Sequence, residues 1–170
     1  MSAAILDVCD GLVDDLRESW ETVTGTAPIY PSEVKRMYIG PVGLDKLLGR
    51  KVWVFPASYS AENITRGPVD DEATKQNDFR IEVVVVERYT ESDAIDSDAA
   101  RGWIDERVTF VQDAIFGRIN NYGKPDLLVA SGRSPIFCES FEAVDVYDAE
   151  RLDVHKVFWS RMEFLLREIR

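Results

Sequence analysis

The stretch Phe79-Arg80-Ile81-Glu82-Val83-Val84-Val85-Val86 decides the fold. Phe79, Ile81, Val83 and Val85 alternate with Arg80, Glu82, Val84 and Val86, the two-residue period of a β-strand. Its second half is apolar on both sides, so the strand expected over 79–90 is central and covered on both faces over its middle. Upstream, residues 51–59 read as a second strand, with Val52 and Val54 on one face and Trp53, Phe55 and Tyr59 on the other. Pro56 has no N–H to give a ladder, which points to an edge position or a bulge. Between the two strands, residues 60–78 are polar and hold Arg66-Gly67-Pro68 and Asp70-Asp71-Glu72. The expectation is a long hairpin with an oversized polar loop, and loops of that length in compact domains are mobile or have work to do.

Helices flank this hairpin. In 4–23, Ile5, Val8, Cys9, Leu12, Leu16, Trp20 and Val23 recur at three- and four-residue steps and make one apolar stripe. Asp7, Asp10, Asp14, Glu18 and Glu21 follow the same step on the far side. Gly25 is expected to close the helix. The second helix is expected over about 101–121, with Ile104, Val108, Val111, Ile115 and Ile119 as its stripe, widened by Trp103 and Phe116. An acidic loop over 91–100 leads into it and supplies its cap. Residues 24–50 contain Pro28, Pro31, Gly40, Pro41, Gly43 and Gly49, which argue against long regular elements there. Ala143–Tyr147 reads as a short strand. Residues 154–169 fit both a helix and a long strand. The strand just upstream, separated only by a short polar turn, tips the reading to strand. The fold class expected is α+β: one domain over 1–170, with two amphipathic helices packed on a mostly antiparallel sheet that contains the long hairpin.

The chain has 170 residues, 20 Lys and Arg against 31 Asp and Glu, and a formal net charge of −11. A chain of this length buries roughly 68–70% of its unfolded surface and needs no metal or disulfide staple. The acidic balance argues against a protein that grips nucleic-acid phosphates or an anionic membrane. Met1–Asp7 has no basic region, and Asp7 and Asp10 interrupt any apolar run, so neither a signal peptide nor a membrane span is expected. Cys9 and Cys138 are too far apart in sequence for a metal-type pair and read as reduced thiols of a cytoplasmic setting.

No constellation for chemistry emerges, and the expectation is that the chain is not an enzyme and uses no cofactor or metal. His155 is the sole histidine and reads as structural or surface. The acids Asp93, Asp96 and Asp98 lack the ligand alternation and glycine of a calcium loop. Gly40-Pro41-Val42-Gly43 reads only as a turn, and no nucleotide or hydrolase signature occurs.

Charge distribution is more informative. Segment 25–56 is net +3 while 1–24 and 126–150 are each −5. Complementary patches at different places on one molecule favour head-to-tail contacts, which close into rings when the rotation permits.

The order of elements is helix Ile5–Val23, Pro/Gly-rich segment, pair Val52–Tyr59 and Phe79–Thr90, acidic loop, helix Trp103–Asn121 and closing Ala143–Ile169. It resembles the tail terminator proteins of long-tailed, siphovirus-type bacteriophages, of which the lambda tail terminator is an example. Phrases such as Gly49-Arg50-Lys51-Val52-Trp53-Val54 are similar in style to that family's hairpin. The resemblance implies a hexameric ring that caps the head-proximal end of the tail tube, stops tube growth and joins the tail to a neck or connector protein. DNA would pass through without specific binding. It further implies a virion location, after assembly in the host cytoplasm. Loop length and charge select Lys35, Arg36, Tyr38, Arg50, Arg66, Asp70, Asp71 and Glu72 as candidate subunit or tube interface residues. The helix acids Asp7, Asp10, Asp14, Glu18 and Glu21 are the candidate lumen stripe, because a wall of that sign repels DNA. The alternatives are another head–tail connector or tail-completion ring, a small α+β ligand-binding module or enzyme, and a nucleic-acid binder.

Overall fold

Helix α1 spans Ala4–Glu21 and lays Val8, Cys9, Leu12, Val13 and Leu16 into the core, as its apolar stripe requires. The structure is a computed structural model and describes residues 4–21, 33–38, 44, 47–64, 74–91, 94–120 and 136–169. The expected helix end at Gly25 lies outside these residues. Four strands follow the hairpin logic: β2 (Lys51–Ile64), β3 (Thr74–Arg88), β4 (Ile136–Asp145) and β5 (Val157–Ile169). A short β1 (Glu33–Arg36), not foreseen in the Pro/Gly-rich segment, runs parallel to β2. Among the described residues the sheet has five strands in the order β1-β2-β3-β5-β4, and every pairing except β1–β2 is antiparallel. The class is α+β with a mixed sheet.

The valine run behaves as its two-sided character demands. Val83 and Val85 enter the main core with Phe79, Ile81, Val52, Val54, Met162 and Phe164. Val84 and Val86 enter a second cluster on the opposite face, with Trp53, Val157 and Leu47. Trp159 and Phe55 pack against that second cluster. Within the main-core row of β5 the buried Ser160 is satisfied by donating to the Asp145 carbonyl at 3.2 Å.

Pro56 sits at a bulge: the β2–β3 register steps from Pro56↔Ile81 to Ser58↔Arg80. One extra residue turns every later side chain of β2 to the other face. Tyr59, expected beside Trp53 and Phe55, therefore stacks on the core residue Phe79 at 5.3 Å between ring centres.

Two expectations are corrected. Residues 60–78 are not one loop. β2 continues to Ile64 and β3 starts at Thr74, paired residue by residue from Ser60↔Asp78 to Ile64↔Thr74. Backbone ladder bonds do not depend on apolar side chains, so polarity concealed the strands; Tyr59 also donates to Asn77 across the pair at 3.0 Å. The polar turn before β5 is a helix, α4 (Ala149–His155), that places the histidine at a helix end instead of in a strand. Asp148 caps it by accepting from the Arg151 N–H at 3.0 Å, and Leu152 is its buried residue. The leaning of 154–169 toward strand holds for Val157–Ile169.

Lys156 ends α4 in the left-handed region, φ 54°. A Cβ there is strained, and glycine is the usual residue. Lys156→Gly is expected to raise stability by up to about 1 kcal/mol, read as a higher urea midpoint with unchanged slope.

Helix α2 (Asp98–Phe110) is capped by Ser97, whose Oγ accepts from the Ala100 N–H at 3.1 Å. It runs through a π-helical turn, Val111–Phe116, into α3 (Gly117–Asn120). Val111, Ile115 and Ile119 are all buried on one line. A four-residue step overshoots an α-helical turn by about 40°. The wider π turn absorbs the overshoot and keeps the three side chains over the sheet. α1 and the α2–α3 stretch thus cover the same sheet face, and Arg118 ties α3 to Asp15 of α1 at 3.0 Å.

Candidate functional site

The first part of the candidate site is the basic end of the sheet. Lys35 and Arg36 follow each other on β1, so their side chains take opposite faces. Lys35 pairs with Glu33 at 2.9 Å and remains substantially exposed. Arg36 turns to α1, donating to the Leu6 carbonyl at 3.1 Å and pairing with Asp10. One expected interface residue and one expected lumen acid are therefore bonded to each other. Tyr38 is the most open of the group, 64% exposed, with the Arg36 guanidinium 5.4 Å from its ring centre.

Arg50 is a correction: at 2% exposure it is an internal residue and presents no surface to a partner. Its Nε donates to Glu87 at 2.8 Å, and its guanidinium lies 4.3 Å from the Phe110 ring centre. Arg107 of α2, 6% exposed, reaches the same carboxylate through Nη2 at 2.8 Å and Nε at 3.1 Å. Its guanidinium lies over Trp103 at 4.1 Å. Glu106 flanks the pair, accepting from Arg107 at 2.7 Å and facing Arg50 at 3.5 Å. This four-residue network clamps α2 to the start of β2 and the end of β3. Sequence reasoning missed Glu87 and Arg107. The one available signal was that Arg107 falls beside Val108 on the apolar stripe of its helix.

Among the helix acids, Asp7 is half-buried, while Asp10 and Asp14 are exposed and held by Arg36 and Arg17. Glu18 and Glu21 belong to α1, but their side chains lie outside the described residues, as do Arg66, Asp70, Asp71 and Glu72 entirely.

The second part is the sheet face opposite α1 and the α2–α3 stretch. Beyond the second cluster it carries an ion-paired ladder of β3 and β5. Glu82 and Glu163 stand directly opposite one another, and Arg161 bridges them at 2.6 Å and 3.4 Å. The Arg167 guanidinium donates to both oxygens of Asp78 (2.8 Å and 3.0 Å) and holds that carboxyl below its ordinary value, against the opposing effect of burial. A carboxyl lowered by folding adds stability above its unfolded pKa near 3.9 and loses it as pH falls through the folded value. The stability difference between wild type and Asp78→Asn is expected to be constant above about pH 5 and to shrink below about pH 3.9, measured by urea unfolding across pH. A difference independent of pH would remove this ion pair from the account.

A cavity of about 330 Å³ opens beside this ladder, lined by Arg80, Phe141, Glu142, Glu163 and Leu165. Its Arg80 and Glu163 are within 3.6 Å of each other. No group of three or more metal-type side chains occurs among the described residues. Burial pushes the Cys9 thiol up to about 12 and the Cys138 thiol up to about 11, so both are neutral and poor nucleophiles near pH 7.

The third part is the pair of sheet edges. Among the described residues, β1 covers β2 as far as Val54 and β4 is the last strand on the other side. Phe141, Val144, Val146 and Tyr147 are exposed on and just after β4.

No protein family matches the chain, and no curated protein matches its sequence. Among solved structures, the sheath/tube terminator of an extracellular contractile injection system, PVC, in its extended state, is similar over 100% of this chain at 10% identity and a TM-score of 0.37. This chain spans 58% of the length of that one. No described helix is long and apolar enough to cross a membrane.

Proposed function

We propose that the chain is a tail-terminator-type structural subunit whose copies form a ring, six in number, capping the head-proximal end of a phage tail tube. It stops tube polymerisation and joins the tail to the neck. The observation that carries this reading is the order of elements: α1, the long β2–β3 hairpin, α2 and the closing β4–β5 pair follow one another as the resemblance to phage tail terminators requires. Surface charge supports it: with Arg36 and Arg50 paired internally, Lys35 and Lys51 remain at the β1 end of the sheet, and Glu139, Glu142 and Asp145 stand on β4 at the other, where they can meet between copies. On this reading the work is association and not catalysis. The partners are further copies, the tube protein and a neck or connector protein. DNA crosses the lumen unread, and the protein is built in the host cytoplasm and resides in the virion tail.

Native mass spectrometry of the purified protein, alone and with tube protein, tests the association. A single closed species of six copies is the expected result. A monomer under both conditions contradicts the ring.

A further inference from the structure

The two ends of the sheet differ in how they are guarded. Past Val54, β2 runs ten more residues to Ile64 with no strand on its outer side among the described residues. From Ala57 to Ile64 its only charged residue is Glu62, and Ala57–Glu62 are exposed. Pro56 and its bulge guard only the start of this edge; from Ala57 onward it carries no Lys and no Pro, and such an edge is a template for strand addition. At the far end, β4 is also ten residues long, is exposed over Glu139–Glu142, and carries Phe141 at 45% and Val144 at 39% exposure. It bears three acids, Glu139, Glu142 and Asp145, and two register shifts, against the single acid Glu62 and the single Pro56/Ser58 shift of open β2.

We propose that the open edge of β2 receives β4 of a second copy of this chain, joining the sheets of successive subunits edge to edge. The proposal rests on the ring reading and names its contact. Strand direction supports it. β2–β3, β3–β5 and β5–β4 are each antiparallel, so β4 runs opposite to β2. A rotation about an axis along the strands keeps those directions. Repeated around a ring, it therefore brings β4 of one copy against β2 of the next as an antiparallel pair, the more stable ladder. In that pairing the carboxyl end of β4, with Glu142 and Asp145, lies toward the start of β2, where Lys35 and Lys51 stand. The exposed Val146 and Tyr147 then approach the exposed Tyr38 and Leu48. Two β4 edges set against each other would oppose acids to acids, which disfavours a closed two-fold pair.

Two edge-blocked variants test this. One carries Ser60→Lys and Ala61→Lys on β2; the other carries Phe141→Lys and Val144→Lys on β4. Phe141→Lys alone serves if the second fails to fold by circular dichroism. All positions are exposed. By native mass spectrometry wild type is expected to form rings, and each folded variant alone is expected to be monomeric. An equal mixture is expected to give a heterodimer and nothing larger, because only one intact β4 and one intact β2 remain to meet. Rings from either folded variant overturn the edge contact and leave the ring reading standing. A homodimer of the β2-blocked variant, formed through its intact β4, overturns it in favour of a two-fold pair. A wild type that stays monomeric with and without tube protein overturns both.

Discussion

Glu87→Ala is expected to cost about 3–5 kcal/mol of unfolding free energy. Glu87 sits between two buried guanidiniums, 2.8 Å from Arg50 and 2.8 Å from Arg107. Its removal leaves two cations of the same sign facing each other in a site nearly closed to water, with the half-exposed Glu106 beside them. Breaking a buried pair from one side is costly because the surviving charge is neither solvated nor paired. The network also explains what the clamp does. It fixes the last turns of α2 against the end of β3, and the aromatic faces of Phe110 and Trp103 lie against the guanidiniums. The triple change Arg50→Met, Glu87→Leu, Arg107→Met is expected to recover most of the loss, since apolar replacements leave no orphan charge. Urea unfolding of the three proteins reads both results. A loss under about 1 kcal/mol for Glu87→Ala would mean that the site is wet and the pairs are screened, as surface pairs are.

Phe158→Ala is expected to cost about 3–5 kcal/mol. Phe158 is fully buried, and its register partner is Glu87. Trp103 meets its ring edge-on at 6.2 Å, and Tyr147 lies over it at 6.4 Å. Truncation loses the transfer energy of the ring, leaves a cavity and removes both aromatic contacts. Because Glu87 and Phe158 stand opposite each other in the ladder, and Trp103 touches both Phe158 and the Arg107 that binds Glu87, the double variant should depart from additivity by about 0.5–3 kcal/mol. Thermal or urea unfolding of the double-mutant cycle measures that departure, and strict additivity would contradict the shared packing.

The sequence was legible where one period had one physical cause. The alternation at 79–86 and the stripe of α1 each report a buried face, and both elements stand where those patterns put them. The 154–169 stretch was readable only through its neighbour, since Phe158, Met162, Leu166 and Ile169 satisfy a helix as well as a strand. Distal β2 and β3 were hidden because ladder pairs of polar residues such as Ser60↔Asp78 and Asn63↔Lys75 leave no hydrophobic trace. The four-residue β1 was hidden because its support is the neighbouring backbone of β2. At the candidate site the basic character of the β1 region was visible, but its use was not. Arg36 is tied to Asp10, and Arg50 is withdrawn into the Glu87 network by a partner 37 positions away. Charge counts along a chain carry no information about such pairs. Tyr38 and Lys35 are the expected interface residues in this region that remain substantially exposed.

The central claim is that the chain stops a growing tube, and tube length reads that directly. Tube protein is polymerised with and without this protein, and the products are measured by electron microscopy. The account predicts shorter tubes with a ring at one end only, their number rising with the amount added. Tubes of unchanged length, with no added density at either end, would contradict it.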